Sequence, residues 1–144
     1  MAFSPFVPLR VFSCYTMLEG AIEPKAIAKA ARDRGFPAIA ICDRNGLYGA
    51  MAFGEACKAA GVQPIVGALL SVARPGQRMA NGAPLIDWLA LYAQDETGYG
   101  NLCALVSAAH LDRPIEQDPH VTLSDLAGKT DGLICLTGGG EGAL

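Results

Sequence analysis

Gly35 to Val72 reads GFPAIAICDRNGLYGAMAFGEACKAAGVQPIVGALLSV, and this stretch decides the fold. Its first part, Ala38 to Cys42 (AIAIC), is a continuous apolar run, the pattern of a strand buried on both faces. Leu47 to Ala60 places apolar residues at helical spacing and stops at Gly61, a residue suited to ending a helix. Pro64 to Val72 (PIVGALLSV) is a second apolar strand. Strand, helix, strand in one stretch predicts a parallel pair joined by a crossover helix.

The same alternation continues on both sides. Phe6 to Tyr15 (FVPLRVFSCY) alternates enough to predict an earlier strand. Pro24 to Arg34 carries Ile27, Ala30 and Ala31 on one helical face, with Pro24 at a first helical position and Gly35 as the stop. Arg74 to Pro84 is rich in Gly, Pro and polar residues and predicts a surface loop. Leu85 to Ala93 then reads as a strand, with Trp88 and Tyr92 on one face as packing residues, and Glu96 to Leu111 reads as a helix. Ser124 is the expected cap of a short helix, and Leu133 to Thr137 (LICLT) a last buried strand. The fold class is α/β, a parallel sheet or barrel. The sequence stops at Gly142-Ala143-Leu144, where a further helix is expected to begin, so it reads as a piece of something longer.

Composition excludes several classes. Of 144 residues just over half are apolar and 17% charged, which suits one packed domain and not a disordered chain. The formal net charge of -3 argues against this segment as a general grip on nucleic acid, which draws its affinity from Lys and Arg on phosphates. Five cysteines, Cys14, Cys42, Cys57, Cys103 and Cys135, are odd in number and widely spaced. They read as reduced, buried thiols of a cytoplasmic protein. No stretch has the pattern of a signal peptide or the length of a membrane helix, so no membrane partner is expected.

Several stretches together resemble one family. They are FVPLRVFSCYTMLEGAI (Phe6 to Ile22), the quoted Gly35 to Val72 run, DETGYGNLCALVSAAHL (Asp95 to Leu111) and TDGLICLTGGGEGAL (Thr130 to Leu144). They are similar to the start of the bacterial DNA polymerase III alpha subunit, in its polymerase and histidinol phosphatase (PHP) domain. The resemblance implies a distorted (β/α)7 barrel, of which residues 1–144 supply an N-terminal portion incomplete at its C-terminal end. It also implies polymerase palm, fingers and clamp-binding regions downstream. Metal-using members hold divalent ions at the C-terminal mouth of the barrel, where such ions activate water for phosphoester hydrolysis.

The resemblance permits a test position by position. The His-x-His that ends the first strand of metal-binding members falls here on Arg10 and Phe12, and a further His on Pro8. The Asp-His after the second strand is Asp43-Arg44, so Asp43 is the one retained ligand. A Glu after the third strand is replaced by Leu69, and a Cys in a Ser-Gly-Cys motif by Gly139. A multinuclear site needs several ligands within about 2.0–2.6 Å of each ion, which one carboxylate does not supply. These vestigial positions lead us to expect no catalytic residue and no bound metal in this segment, with Mg2+ serving only the parent polymerase. Arg44, with Arg10, is expected to pair with Asp43 and fill the vacated site.

The resemblance further implies partners: the separate epsilon proofreading exonuclease subunit, other polymerase III holoenzyme subunits, and DNA through downstream domains. The segment itself is then a non-catalytic scaffold. The alternatives are an active metal-dependent phosphoesterase or pyrophosphatase of the PHP superfamily, and a free-standing binding protein. Other features carry less. The run from Gly138 to Ala143 fits G-x-G-x-x-A after a strand, but it lies at the chain end and lacks the acidic residue expected ~20 positions on, so it reads as a turn. His110 sits near a helix end, where a cation is favourable, and His120 in a polar loop reads as exposed. Cys14 and Cys42 near strand ends could join Asp43 in a Cys2Asp site, the plainer reading being core packing. Glu19 and Glu23 read as turn and helix-start residues without chemistry.

Overall fold

A computed structural model describes residues 5–142. In chain order it contains α1 (Pro24–Asp33), β1 (Ala38–Arg44), α2 (Ala50–Ala60), β2 (Gln63–Arg78), β3 (Pro84–Ala93), α3 (Glu96–Leu111), the short α4 (Leu123–Leu126) and β4 (Leu133–Leu136). A 3-10 turn, Gly139–Glu141, follows. The four strands form one mixed sheet in the order β1-β2-β3-β4. The helix expected to start at the chain end falls on residues 143 and 144, outside those described.

The crossover unit forms as its sequence requires. β1 and β2 run parallel, with Cys42 opposite Gly67 and Arg44 opposite Leu69. Gly61 ends α2 in the left-handed region at φ 71°, a conformation that glycine adopts without a side-chain clash. α1 begins at Pro24 and is followed by Gly35 at φ 70°. Its buried stripe is Ile27, Ala28 and Ala31, so Ala28 takes the place foreseen for Ala30. Asp95 caps α3 by accepting a hydrogen bond from the Gly98 amide at 2.8 Å.

Beyond that unit the sheet departs from the parallel expectation. β2 pairs antiparallel with β3, and β3 antiparallel with β4. The reason is the segment Arg74 to Pro84. It is exposed, as a surface loop would be, but its first half extends β2 to Arg78, which pairs with Pro84 across a tight tip closed by Met79 and Ala83. With no helix between the two strands, the chain returns as a hairpin, which is necessarily antiparallel. A register shift between Ala73 and Arg78 absorbs the Pro75-Gly76 pair.

Four smaller expectations also change. Phe6 to Tyr15 is not a strand of the sheet. Ala40 and Cys42 of β1 donate to the carbonyls of Pro8 and Val11, acceptors three residues apart where a regular parallel ladder needs two, and Pro8 has no N–H to return. The cap of α4 is Thr122 and not Ser124, because Thr122 and Asp125 form a reciprocal capping box. β4 is a largely exposed edge strand, with Ile134 and Leu136 open to solvent. Of the cysteines, Cys42 and Cys57 are buried, Cys14 and Cys103 half-buried, and Cys135 exposed.

The two faces of the sheet differ. Ile39 and Ile41 of β1 pack on α1 and α2 through Ile27, Phe53 and Cys57. On the same face Ala68, Leu70 and Val72 of β2 pack on Leu102, Leu105 and Ala109 of α3. The opposite face gathers Ala40, Cys42, Leu69, Ala90 and Tyr92, with Phe12 and Trp88 against them. Gly67 is required there, since a Cβ would lie 2.5 Å from the Tyr92 ring. That inner face, partly covered by the segment from Pro8 to Ser13, carries the candidate site.

Candidate functional site

Successive side chains of a strand point to opposite faces, so the neighbours Asp43 and Arg44 at the end of β1 separate. Asp43 follows Ile39 and Ile41 onto the helix face and is only 2% exposed. Its carboxylate is fully engaged. Oδ1 accepts from the Ser13 amide at 2.7 Å and the Thr16 hydroxyl at 2.7 Å, and Oδ2 accepts from the Ser13 hydroxyl at 2.6 Å. Three donors, one of them a backbone N–H, compensate a buried charge without a cation.

Arg44 follows Ala40 and Cys42 onto the inner face. Its Nε and Nη2 donate to the two oxygens of Glu19 at 2.5 and 2.9 Å, and Nη2 also donates to Glu141 Oε1 at 3.1 Å. The guanidinium lies 4.3 Å from the centroid of Trp88 and 5.3 Å from that of Phe12. Arg10 donates to the other oxygen of Glu141 and lies 5.9 Å from the Phe12 centroid. The expected pairing of Arg44 with Asp43 therefore does not form. The arginines are neutralised by Glu19 and Glu141, two residues to which the sequence reading gave no chemistry.

The electrostatics follow the contacts. The hydrogen bond from Arg44 holds the Glu19 carboxyl below its ordinary value. Glu141 is lowered first by its bond from Arg10 and then by Arg44. The bond to Glu19 raises Arg44 further above neutrality. Burial pushes the Cys42 thiol up, which keeps it neutral and a poor metal ligand.

The vestigial positions are brought together only in part. Arg10, Phe12 and Arg44 converge, with Leu69 fully buried beneath them and Gly139 in the turn that carries Glu141. The Pro8 carbonyl is tied into β1. Asp43 lies on the other side of the strand. Among the described residues no group of three or more His, Cys, Asp or Glu side chains is placed to hold a metal ion. The conceivable Cys2Asp arrangement fails on the same strand geometry, because Cys42 and Asp43 face opposite ways. The donors among the described residues therefore do not by themselves assemble a divalent cluster.

A second hub was not foreseen. Asn45, at φ 47°, follows Arg44. Its Oδ1 accepts from the Ser71 amide and hydroxyl at 2.9 and 3.0 Å, its Nδ2 donates to the Pro119 carbonyl, and its own carbonyl meets His110 Nε2 at 2.7 Å. His110 thus reaches across to the end of β1. His120 is buried rather than exposed, its Nδ1 against the Asp118 carbonyl. The only local sign of this hub is Asn before Gly at a strand end, a tolerated left-handed pair.

Comparison with known proteins supplies the class. The PHP domain family matches residues 8–144. The chain belongs to that family. It is 42% identical over 144 residues to the DNA polymerase III subunit alpha of Caulobacter vibrioides, covering 96% of this chain and 12% of that protein. It is 36% identical over 141 residues to the DNA polymerase III subunit alpha of Treponema pallidum, covering 95% of this chain and 12% of that protein. The chain thus spans about an eighth of the length of these relatives. The crystal structure of a Bifidobacterium adolescentis protein described as a metal-dependent phosphoesterase superposes with a TM-score of 0.54. It covers 74% of this chain and 35% of that one at 16% identity, a likeness of fold alone. Among the described residues no helix is long and apolar enough to cross a membrane.

Proposed function

We propose that this chain is the PHP segment of a replicative DNA polymerase III alpha subunit and that it acts as a metal-free scaffold. The parent protein would be a Mg2+-dependent, DNA-directed DNA polymerase of the cytoplasm, gripping DNA through other domains. This segment would contribute no chemistry and would dock the epsilon proofreading exonuclease within the holoenzyme. Support for the parent role comes from relatives that share 42% and 36% identity across the PHP region.

The observation that carries the scaffold reading is Arg44, seated between Glu19 and Glu141 and over Trp88. A fixed guanidinium at the mouth repels divalent ions, and the nearest carboxylates are already taken up by it. A polymerase without metals in this domain needs a separate proofreader, and that need supports the docking role.

The test has two parts. Purified chain incubated with Mn2+ or Zn2+ is expected to leave a generic phosphoester intact. Size-exclusion chromatography with the purified epsilon subunit is expected to give a shifted, stoichiometric peak. Turnover that depends on added metal, or the lack of any complex at micromolar concentrations of both proteins, contradicts the corresponding half of the reading.

A further inference from the structure

We infer that α1 and α2 together form a docking groove for an acidic amphipathic helix of a partner protein. The groove runs between the two helices and has a volume of about 460 Å3. Its rim is exposed, whereas the faces of both helices that meet β1 are buried. It therefore opens to solvent, on the other side of the sheet from the inner face.

The two helices line the groove in matching rows. α1 supplies Lys25, Lys29 and Arg32, and α2 supplies Ala52, Ala56 and Ala59, each row at i, i+4 and i+7. Such a row follows one side of a helix for two turns, about 10 Å. Ala28 of α1, itself buried, closes the floor. A floor of methyl groups lets a third backbone approach closely, and a rod two turns long is what parallel rows of this kind accept, the helix-in-groove mode of recognition.

Charge selects the occupant. α1 and α2 carry Lys25, Lys29, Arg32 and Lys58 against only Asp33 and Glu55, in a chain whose net charge is -3. Lys25 makes no hydrogen bond or ion pair among the described residues. Lys29 and Arg32 share Asp33 and remain 68% and 55% exposed, surface pairs weak enough to exchange for an incoming carboxylate. A nucleic acid would meet the cations and gain nothing from the apolar floor. A wholly apolar segment would fill the floor and leave the cations unused. A helix with an apolar row flanked by Glu or Asp satisfies both. The inference stands apart from the docking of the exonuclease, which has its own test, and from the state of the inner face.

The test is fluorescence anisotropy of labelled helical peptides mixed with the full chain at physiological salt. One peptide of about 15 residues carries leucine at every third or fourth position and glutamate beside that row. A second has lysine in place of each glutamate, and a third is the first in scrambled order. The acidic amphipathic peptide is expected to bind roughly tenfold tighter than either control. Ala59→Trp, which puts a ring into the groove from an exposed position, is expected to abolish that binding. Lys25→Glu with Lys29→Glu is expected to reverse the preference between the acidic and basic peptides. Circular dichroism verifies that both variants fold. Equal binding of the three peptides, no binding of the acidic one at about 100 μM, or binding unchanged by Ala59→Trp overturns the inference. Tighter binding of anionic vesicles or of a single-stranded oligonucleotide, or a self-dimer in sedimentation that Ala59→Trp dissolves, assigns the groove to another occupant and overturns it equally.

Discussion

Asp43 and Arg44 are adjacent in sequence and opposite in environment. The carboxylate is buried on the helix-facing side of β1 and held by the Ser13 amide and hydroxyl and the Thr16 hydroxyl, all from one loop. The guanidinium is on the inner face, held by two half-exposed glutamates and two aromatic rings. The difference shows two ways to accommodate an ionised group. One uses a small, complete hydrogen-bond shell and ties a loop to the strand. The other uses long-range charge partners at the surface, each of modest individual strength. The first should be the structural anchor and the second the adjustable surface.

If so, the largest effect belongs to Asp43. Asp43→Ala leaves three buried donors without an acceptor and is expected to reduce stability by about 3 kcal/mol in urea unfolding. A loss under about 0.5 kcal/mol, the range of an ordinary surface change, would remove the distinction between the two sides. Asn45→Ala should come next, at about 2 kcal/mol, because it strips Ser71 of its acceptor and puts a non-glycine residue without a helpful side chain at φ 47°. Trp88→Leu removes the ring beneath Arg44 and is expected to lower stability by about 1 kcal/mol, visible as a few degrees in thermal melting.

These ranks explain what the sequence could and could not disclose. α1 was legible because its signals are local, Pro24 at its start and Gly35 after it, and α3 because Glu96 to Leu111 keeps a helical pattern. β1 was legible because AIAIC is a short continuous apolar run, the pattern of a strand buried on both faces. The hairpin arm from Arg74 to Arg78 was not, since Gly and Pro conceal a ladder that depends on β3 for its pairing. The convergence of Arg10, Phe12 and Arg44 could be anticipated only through the family resemblance. Their partners could not, because Arg10 and Glu141 are 131 positions apart and no periodicity links them. The pairing of Asp43 with Arg44 failed for a reason the sequence did contain: neighbours on a strand face opposite ways.

The smallest expected effect is on acid sensitivity. Glu19 and Glu141 titrate lower in the folded chain than in the unfolded one. The unfolded state therefore binds more protons as pH falls, so their contribution is present above the unfolded value near 4.5 and is lost as pH drops through the folded value. Glu19→Gln with Glu141→Gln should flatten the fall in melting temperature below about pH 5, and an unchanged slope would mean the surface network contributes nothing.

In the proposed reading the mouth next to β1 is neutralised by arginine and glutamate and does not hold a cluster of divalent cations. Equilibrium dialysis of the folded chain against Mn2+, with a crystal grown in the same ion, addresses it directly. The account predicts no ion at the inner face, with Arg44 still on Glu19. Two or more manganese ions bound at the inner face, with the Arg44 guanidinium displaced from Glu19, would contradict it.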